Sequence, residues 1–291
     1  MSKYLAPKKQ LHRDFVYLDF DSILNSLSAI EAGQVDEIIE KTTDATDRAV
    51  EGGLKLGPVK GGASRKRESE MQEELVRKRT WFSAFEAWYR ALLDEDALGR
   101  FEGWDLEVRD ALRVGDTVEF QARCRLSPLH LLFATFASYA KEAGPTSPLF
   151  KTTAAAAAEV RQTAKMIAEW TKGPGGSRSS SVYFEPVGAA DGAPRIIGRV
   201  AESYLLRGLG ELDGTFTVVA QVEAVLAVGE ELSAIRVIRD TPPTPLETNV
   251  IATALASFKG DATEAIGVHV EDDDIMYAHP AVVVRPIAVY R

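Results

Sequence analysis

At residues 173–181 the chain reads Gly-Pro-Gly-Gly-Ser-Arg-Ser-Ser-Ser, and there the apolar spacing shifts from about 3.6 residues to about 2. Such a stretch has little to bury and marks a boundary. The sequence before it is patterned as helices, the sequence after it as strands. That change restricts the chain to the α+β class: a helix-rich part over 1–172 packed with a mainly antiparallel sheet over 182–291. With 291 residues, 45% of them apolar, one or two domains with sizeable cores are expected.

The first part opens with Phe15-Val16-Tyr17-Leu18, an apolar strand ending at Asp19. Ile23, Leu24, Leu27 and Ile30 then recur at helical spacing, and Gly33 stops the helix. Residues 52–68 are glycine-rich and basic, which predicts a mobile loop. Ser69 and Gln72 stand at capping-box spacing before a helix of about 25 residues, roughly 38 Å long. Its stripe is Met71, Leu75, Phe82, Phe85, Tyr89 and Leu92, widened by Trp81 and Trp88; a stripe of that size is expected to be covered in larger part by the chain itself, through the helices after Ser127, and for the remainder by self-association or a protein partner. Gly115-Asp116 turns into a strand through Phe120, Ala122 and Cys124. Ser127-Pro128 starts a helix to about Ala143, and another runs from Thr153 to Trp170.

In the second part, strands are expected near Val182–Val187, Arg195–Leu206, Thr215–Leu226, Leu232–Arg239, Gly267–Val270 and Ala281–Tyr290. Asp213-Gly214 and Gly229-Glu230 supply tight turns for an antiparallel meander. Thr244-Pro245-Leu246-Glu247 combines cap, first-turn proline and capping box, so one helix is expected over 245–259. Pro286 inside the last strand places that strand at an edge.

No run of eighteen apolar residues occurs and the N-terminus lacks a signal-peptide pattern, so no membrane contact and a cytoplasmic location are expected. Of the net charge of −9, residues 182–291 carry −8, with sixteen Asp and Glu against eight Lys and Arg. An acidic surface repels nucleic acid and anionic lipid. The basic exception lies between Lys55 and Arg79, where Arg65, Lys66 and Arg67 and then Arg77, Lys78 and Arg79 form the candidate polyanion site, with Trp81 at hand to stack on a base.

The candidate metal site is Asp19-Phe20-Asp21: two carboxylates where a strand leaves its sheet suit Mg²⁺ or Mn²⁺ in a phosphohydrolase or nuclease. The competing role is local, with Asp21 or Ser22 capping the next helix and Asp19 ending the strand. Glu271-Asp272-Asp273-Asp274 offers further acids, or a solvated turn. His12, His130, His269 and His279 are scattered, and the lone Cys124 reads as a small buried residue of a strand. Neither glycine-rich stretch has the Gly-Lys-Ser/Thr of a phosphate loop, and no Gly-x-Ser-x-Gly elbow occurs.

The opening Phe15–Ser26, with its Tyr17-Leu18-Asp19-Phe20-Asp21-Ser22 motif, and the closing Val284–Arg291 resemble a family of uncharacterised bacterial proteins bearing a domain of unknown function. The resemblance implies a bacterial origin and an association with mobile elements and phage-defence neighbourhoods, and it transfers no catalytic residue. No motif supplies the second and third members that catalysis demands. The expectation is therefore a non-catalytic binding or regulatory protein, a component of a bacterial defence system, without a cofactor. The alternative is a metal-dependent hydrolase using Asp19 and Asp21. If residues 52–68 form a mobile loop, brief trypsin treatment cuts first at their Lys and Arg residues; resistance there while other loops are cleaved counts against it.

Overall fold

The computed structural model describes residues 13–31, 81–148, 150–172, 178–239, 241–247 and 268–291. The chain is α+β, and it separates into two compact units. One joins the described residues up to Leu18 with Gly99–Arg291; the other is Asp19–Leu98. Residues on both sides of the 173–181 segment therefore share the first unit.

Among the described residues that unit has nine strands: β1 (Phe15–Leu18), β2 (Gly99–Arg100), β3 (Thr117–Leu126), β4 (Ser179–Pro186), β5 (Arg195–Ala201), β6 (Gly214–Val225), β7 (Glu231–Ser233), β8 (Met276–Ala278) and β9 (Ala281–Tyr290). Five of them close a ring. β3 pairs antiparallel with β4 and β6, β4 pairs antiparallel with β5, and β9 pairs antiparallel with β6 and parallel with β5. The sheet is thus mixed and barrel-like rather than a mainly antiparallel meander. β2 and β1 flank the ring beside β3 and β9, and β7 and β8 form a separate hairpin.

Strand alternation fills the interior. Val118, Phe120, Ala122 and Cys124 of β3 and Phe216, Val218, Ala220 and Val222 of β6 point inward, meeting Val182, Phe184, Ile196, Val200, Val282, Val284 and Val289. Val284 and Val289 are five apart, an odd step that alternation forbids; register shifts in the β6–β9 pairing reconcile it. The expectation that Cys124 is a buried strand residue holds, since it is fully buried.

Pro286 corrects the edge assignment of the last strand. β9 is a central strand, paired with β6 along one side and with β5 and then β1 along the other. The β5 pairing ends at Val284 and the β1 pairing begins at Ala288, so on that side the proline falls where no ladder needs its missing N–H.

Between strands lie α3 (Leu106–Ala111), α4 (Pro128–Glu142), α5 (Ala154–Trp170) and α6 (Ala234–Arg239). Ser127 caps α4 through the His130 amide at 3.2 Å, as Ser-Pro predicts. The segment 232–239 is corrected from strand to β7 plus α6. Ala234, Ile235, Val237 and Ile238 are buried around the less buried Arg236, the one-face spacing of a short helix. Leu129 and Leu132 of α4, with this face of α6, pack against Ile197, Val283 and Tyr277 to form a second core outside the barrel. Residues 268–270 are not strand, whereas Gly267 lies outside the described residues. The Thr244–Glu247 capping box is present: Thr244 N donates to Glu247 Oε2 at 2.7 Å and Glu247 N to Thr244 Oγ1 at 3.2 Å. The rest of that helix lies outside the described residues.

The second unit contains α1 (Phe20–Glu31) and a helix over 81–94, α2. Ile23 and Leu27 of α1 are buried, as are Ala84, Phe85, Trp88, Tyr89 and Leu92 of α2. Phe85 lies 5.6 Å from the Tyr89 ring and Trp81 5.3 Å from Phe20. Trp88 is 2% exposed in the single chain, so it is not on a free surface for a second copy. Met71, Leu75 and the 69–72 cap lie outside the described residues.

Gly198 shows how tightly the barrel is filled. A Cβ there would stand 2.4 Å from Phe184 Cε2 and 3.0 Å from Pro286 Cγ. Gly198→Ala is expected to cost about 1–3 kcal/mol of stability by overpacking, measured by denaturant unfolding, and adding Phe184→Leu should recover part of that loss.

Candidate functional site

Of the two sequence-derived sites, only Asp19 and Asp21 of the metal site fall among the described residues. Asp19 is buried and acts as the cap of α1: its Oδ1 accepts from Ser22 N at 3.0 Å and its Oδ2 from Ser22 Oγ at 2.6 Å. The capping role thus falls to Asp19 rather than to Asp21 or Ser22. Asp21 is exposed in the first turn, where a carboxylate suits the helix dipole. Among the described residues no three His, Cys, Asp or Glu side chains gather as a metal site would require. Arg65, Lys66, Arg67, Arg77, Lys78 and Arg79 all lie outside the described residues.

A different place gathers polar chemistry. A groove of about 860 Å³ crosses the β4–β5 hairpin and the start of α4. Leu126, Pro128, Leu131 and Pro194 give it apolar walls. Trp104, fully buried, anchors the hairpin from below: its Nε1 donates to Pro194 O at 2.5 Å, and its carbonyl accepts from Ala190 N at 2.9 Å. Trp104 is held in turn by Phe101, which stacks on Phe120 of the barrel interior at 4.9 Å.

Alternation turns Phe184 inward and Tyr183 and Glu185 outward, and brings Arg195 of β5 beside them. The Tyr183 hydroxyl donates to Asp274 Oδ1 at 2.8 Å. Asp274 is buried, and its Oδ2 accepts from Glu271 N at 3.0 Å, closing a capping box on the 3₁₀ turn Asp272–Asp274. Arg195 lies over the Tyr183 ring at 5.7 Å, donates to Asp273 O at 2.9 Å and stands 3.6 Å from Asp274 Oδ1. Arg125 pairs with Glu185 on the rim. Behind Tyr183, Tyr277 meets it edge-on at 6.1 Å; its buried hydroxyl neighbours Tyr183 and Ser181 without a well-formed hydrogen bond. Ser181 Oγ is 2.6 Å from Ser127 Oγ, which joins β4 to the α4 cap.

Burial raises the Tyr183 hydroxyl above the usual tyrosine range, and Tyr277 and Asp274 add to the shift. Burial likewise raises Tyr277. Both phenols are therefore neutral across the physiological range. Burial pushes the Cys124 thiol up to about 12, with Asp213 adding to it, so this cysteine is no nucleophile. His130, at the start of α4, is lowered by burial. Tyr183, Arg195 and Asp274 are thus tied to one another.

The chain matches a family model described as "Domain of unknown function (DUF6414)" over residues 12–290. The chain belongs to that family. The match spans both compact units, and it agrees with the resemblance to an uncharacterised family drawn from the terminal motifs. No curated protein and no solved structure matches the chain. Among the described residues no helix is long and apolar enough to cross a membrane.

Asp274 is far from Tyr183 and Arg195 in sequence, and no motif links the three. The available signal was the outward alternation Ser181, Tyr183, Glu185 and the acidic run 271–274, of which only Asp274 turns inward. Tyr183→Phe would remove a hydrogen bond to a buried carboxylate, with an expected loss of roughly 1–3 kcal/mol near neutral pH. Because the folded-state pKa is raised, the tyrosine's stabilisation is lost as pH rises past the unfolded value of about 10. The stability of Tyr183→Phe should therefore fall less steeply above that pH than that of the wild type, measured by denaturant unfolding.

Proposed function

We propose that this chain is a non-catalytic binding protein whose binding face is the groove across β4 and β5. The observation that carries the reading is the groove itself: a cavity of about 860 Å³ with apolar walls and a few fixed polar groups, the make-up of a ligand site. Connectivity supports the location. The ring runs β3-β4-β5-β9-β6 with its one parallel contact between β5 and β9. That is the strand order of the Greek-key barrels that bind oligonucleotides and oligosaccharides, which use their second and third strands as the ligand face. β4 and β5 hold those two places here. The likeness is one of connectivity and speaks for where a ligand sits, not for what it is. A role within a multi-protein bacterial defence system goes with this proposal and is supported by the terminal motifs alone. The metal-dependent alternative gains no supporting observation, since both Asp19 oxygens serve the α1 cap.

Leu131 lines the groove and is 40% exposed, whereas Val228, 84% exposed, lies away from the groove lining. In co-purification from the producing cells, a partner held by wild type and Val228→Lys should be lost from Leu131→Lys. Equal retention by all three places binding elsewhere. Hydrolysis of a phosphoester with Mg²⁺ or Mn²⁺, abolished by Asp19→Asn or Asp21→Asn in a folded protein, would favour the enzyme instead.

A further inference from the structure

We infer that the groove takes an extended peptide segment of a partner protein in which basic residues stand beside apolar ones. This rests on the binding reading above and names the chemistry of the occupant. The groove's charged side chains are unequally committed. Arg125 is paired with Glu185, and Arg195 with Asp273 and Asp274. Asp191 and Asp213 also line the groove; both are exposed, and among the described residues neither has a cation within ion-pair distance. Two carboxylates are therefore left over beside apolar walls, in the half of the chain that carries −8. A ligand that completes this set brings positive charge and apolar surface together, as a basic–apolar peptide does. In the hairpin's turn the amides of Val187, Ala189, Ala190 and Ala193 are already bonded to backbone carbonyls, which leaves little for strand addition there. Recognition therefore rests on side chains.

A nucleic acid strand fits the same groove poorly. Single strands are held by cationic tracks and by aromatic faces on which bases stack. Here the Tyr183 ring is covered by Arg195 and Trp104 is buried, while both groove arginines already face carboxylates. Phosphates would meet Asp191 and Asp213 without a neutralising partner.

The test is fluorescence anisotropy of a labelled peptide of alternating Leu and Lys titrated with the full chain. Saturable binding is expected, weakened by salt and about tenfold weaker in the double variant Asp191→Asn/Asp213→Asn. Both positions are exposed, and a thermal melt checks that the variant folds. The control Glu107→Gln/Glu202→Gln removes the same charge from exposed positions off the groove and should bind like wild type. Equal weakening in both double variants would show diffuse attraction to an acidic protein and overturn the inference. So would equal binding of the peptide with Glu in place of Lys, or its displacement by oligothymidylate. If the Lys peptide does not bind while a partner lost from Leu131→Lys is still captured, the groove remains a binding face and only the occupant's chemistry is wrong.

Discussion

β9 has a hydrogen-bonded neighbour on each side for most of its length, and closure of the barrel depends on that strand. With β6 on one side and β5 followed by β1 on the other, it joins the end of the sequence to its beginning. A closed ring needs no cover for exposed strand edges. It also forces each of its strands to send alternate side chains into one interior, which is why Phe120, Phe184 and Phe216 must share space with Ala122, Ala220 and Gly198. Once the interior is set, the outward residues are set as well. Tyr183 faces out because Phe184 faces in, and the groove follows from the same alternation.

The local features legible in the sequence are those with local causes. Ser127-Pro128 caps α4 and Thr244–Glu247 forms its box because cap chemistry involves residues three apart. The β3 strand, with Cys124 as a core residue, follows from short-range alternation, and β1 and β9 follow from short runs of β-favouring apolar residues. What the sequence conceals is pairing. Pro286 ordinarily marks an edge, yet here it falls where β9 changes partner. That arrangement depends on β1, more than 260 residues earlier in the chain. α6 was concealed for another reason: Ile235, Val237 and Ile238 have high strand propensity, and burial against α4 and β9 overrides it.

The candidate site divides in the same way. Asp19-Phe20-Asp21 is conspicuous in sequence, and its geometry is that of a helix cap, a use of aspartate that spacing alone does not separate from metal ligation. Tyr183, Arg195 and Asp274 are inconspicuous in sequence and converge because β4, β5 and the 272–274 turn meet on one face. Membership of a family whose shared domain has no assigned function leaves such convergence as the main guide to where this chain acts.

Cys124 has a further use that follows from its place in the ring. Its backbone lies between Phe184 of β4 and Gly214 of β6, and its thiol points into a filled interior. A reagent in solution reaches that sulfur only when the barrel opens and the core side chains part. As the sole cysteine of the chain, it makes the rate of thiol modification a single-site clock for barrel opening. The barrel carries its own reporter of how often it breathes, with no residue introduced.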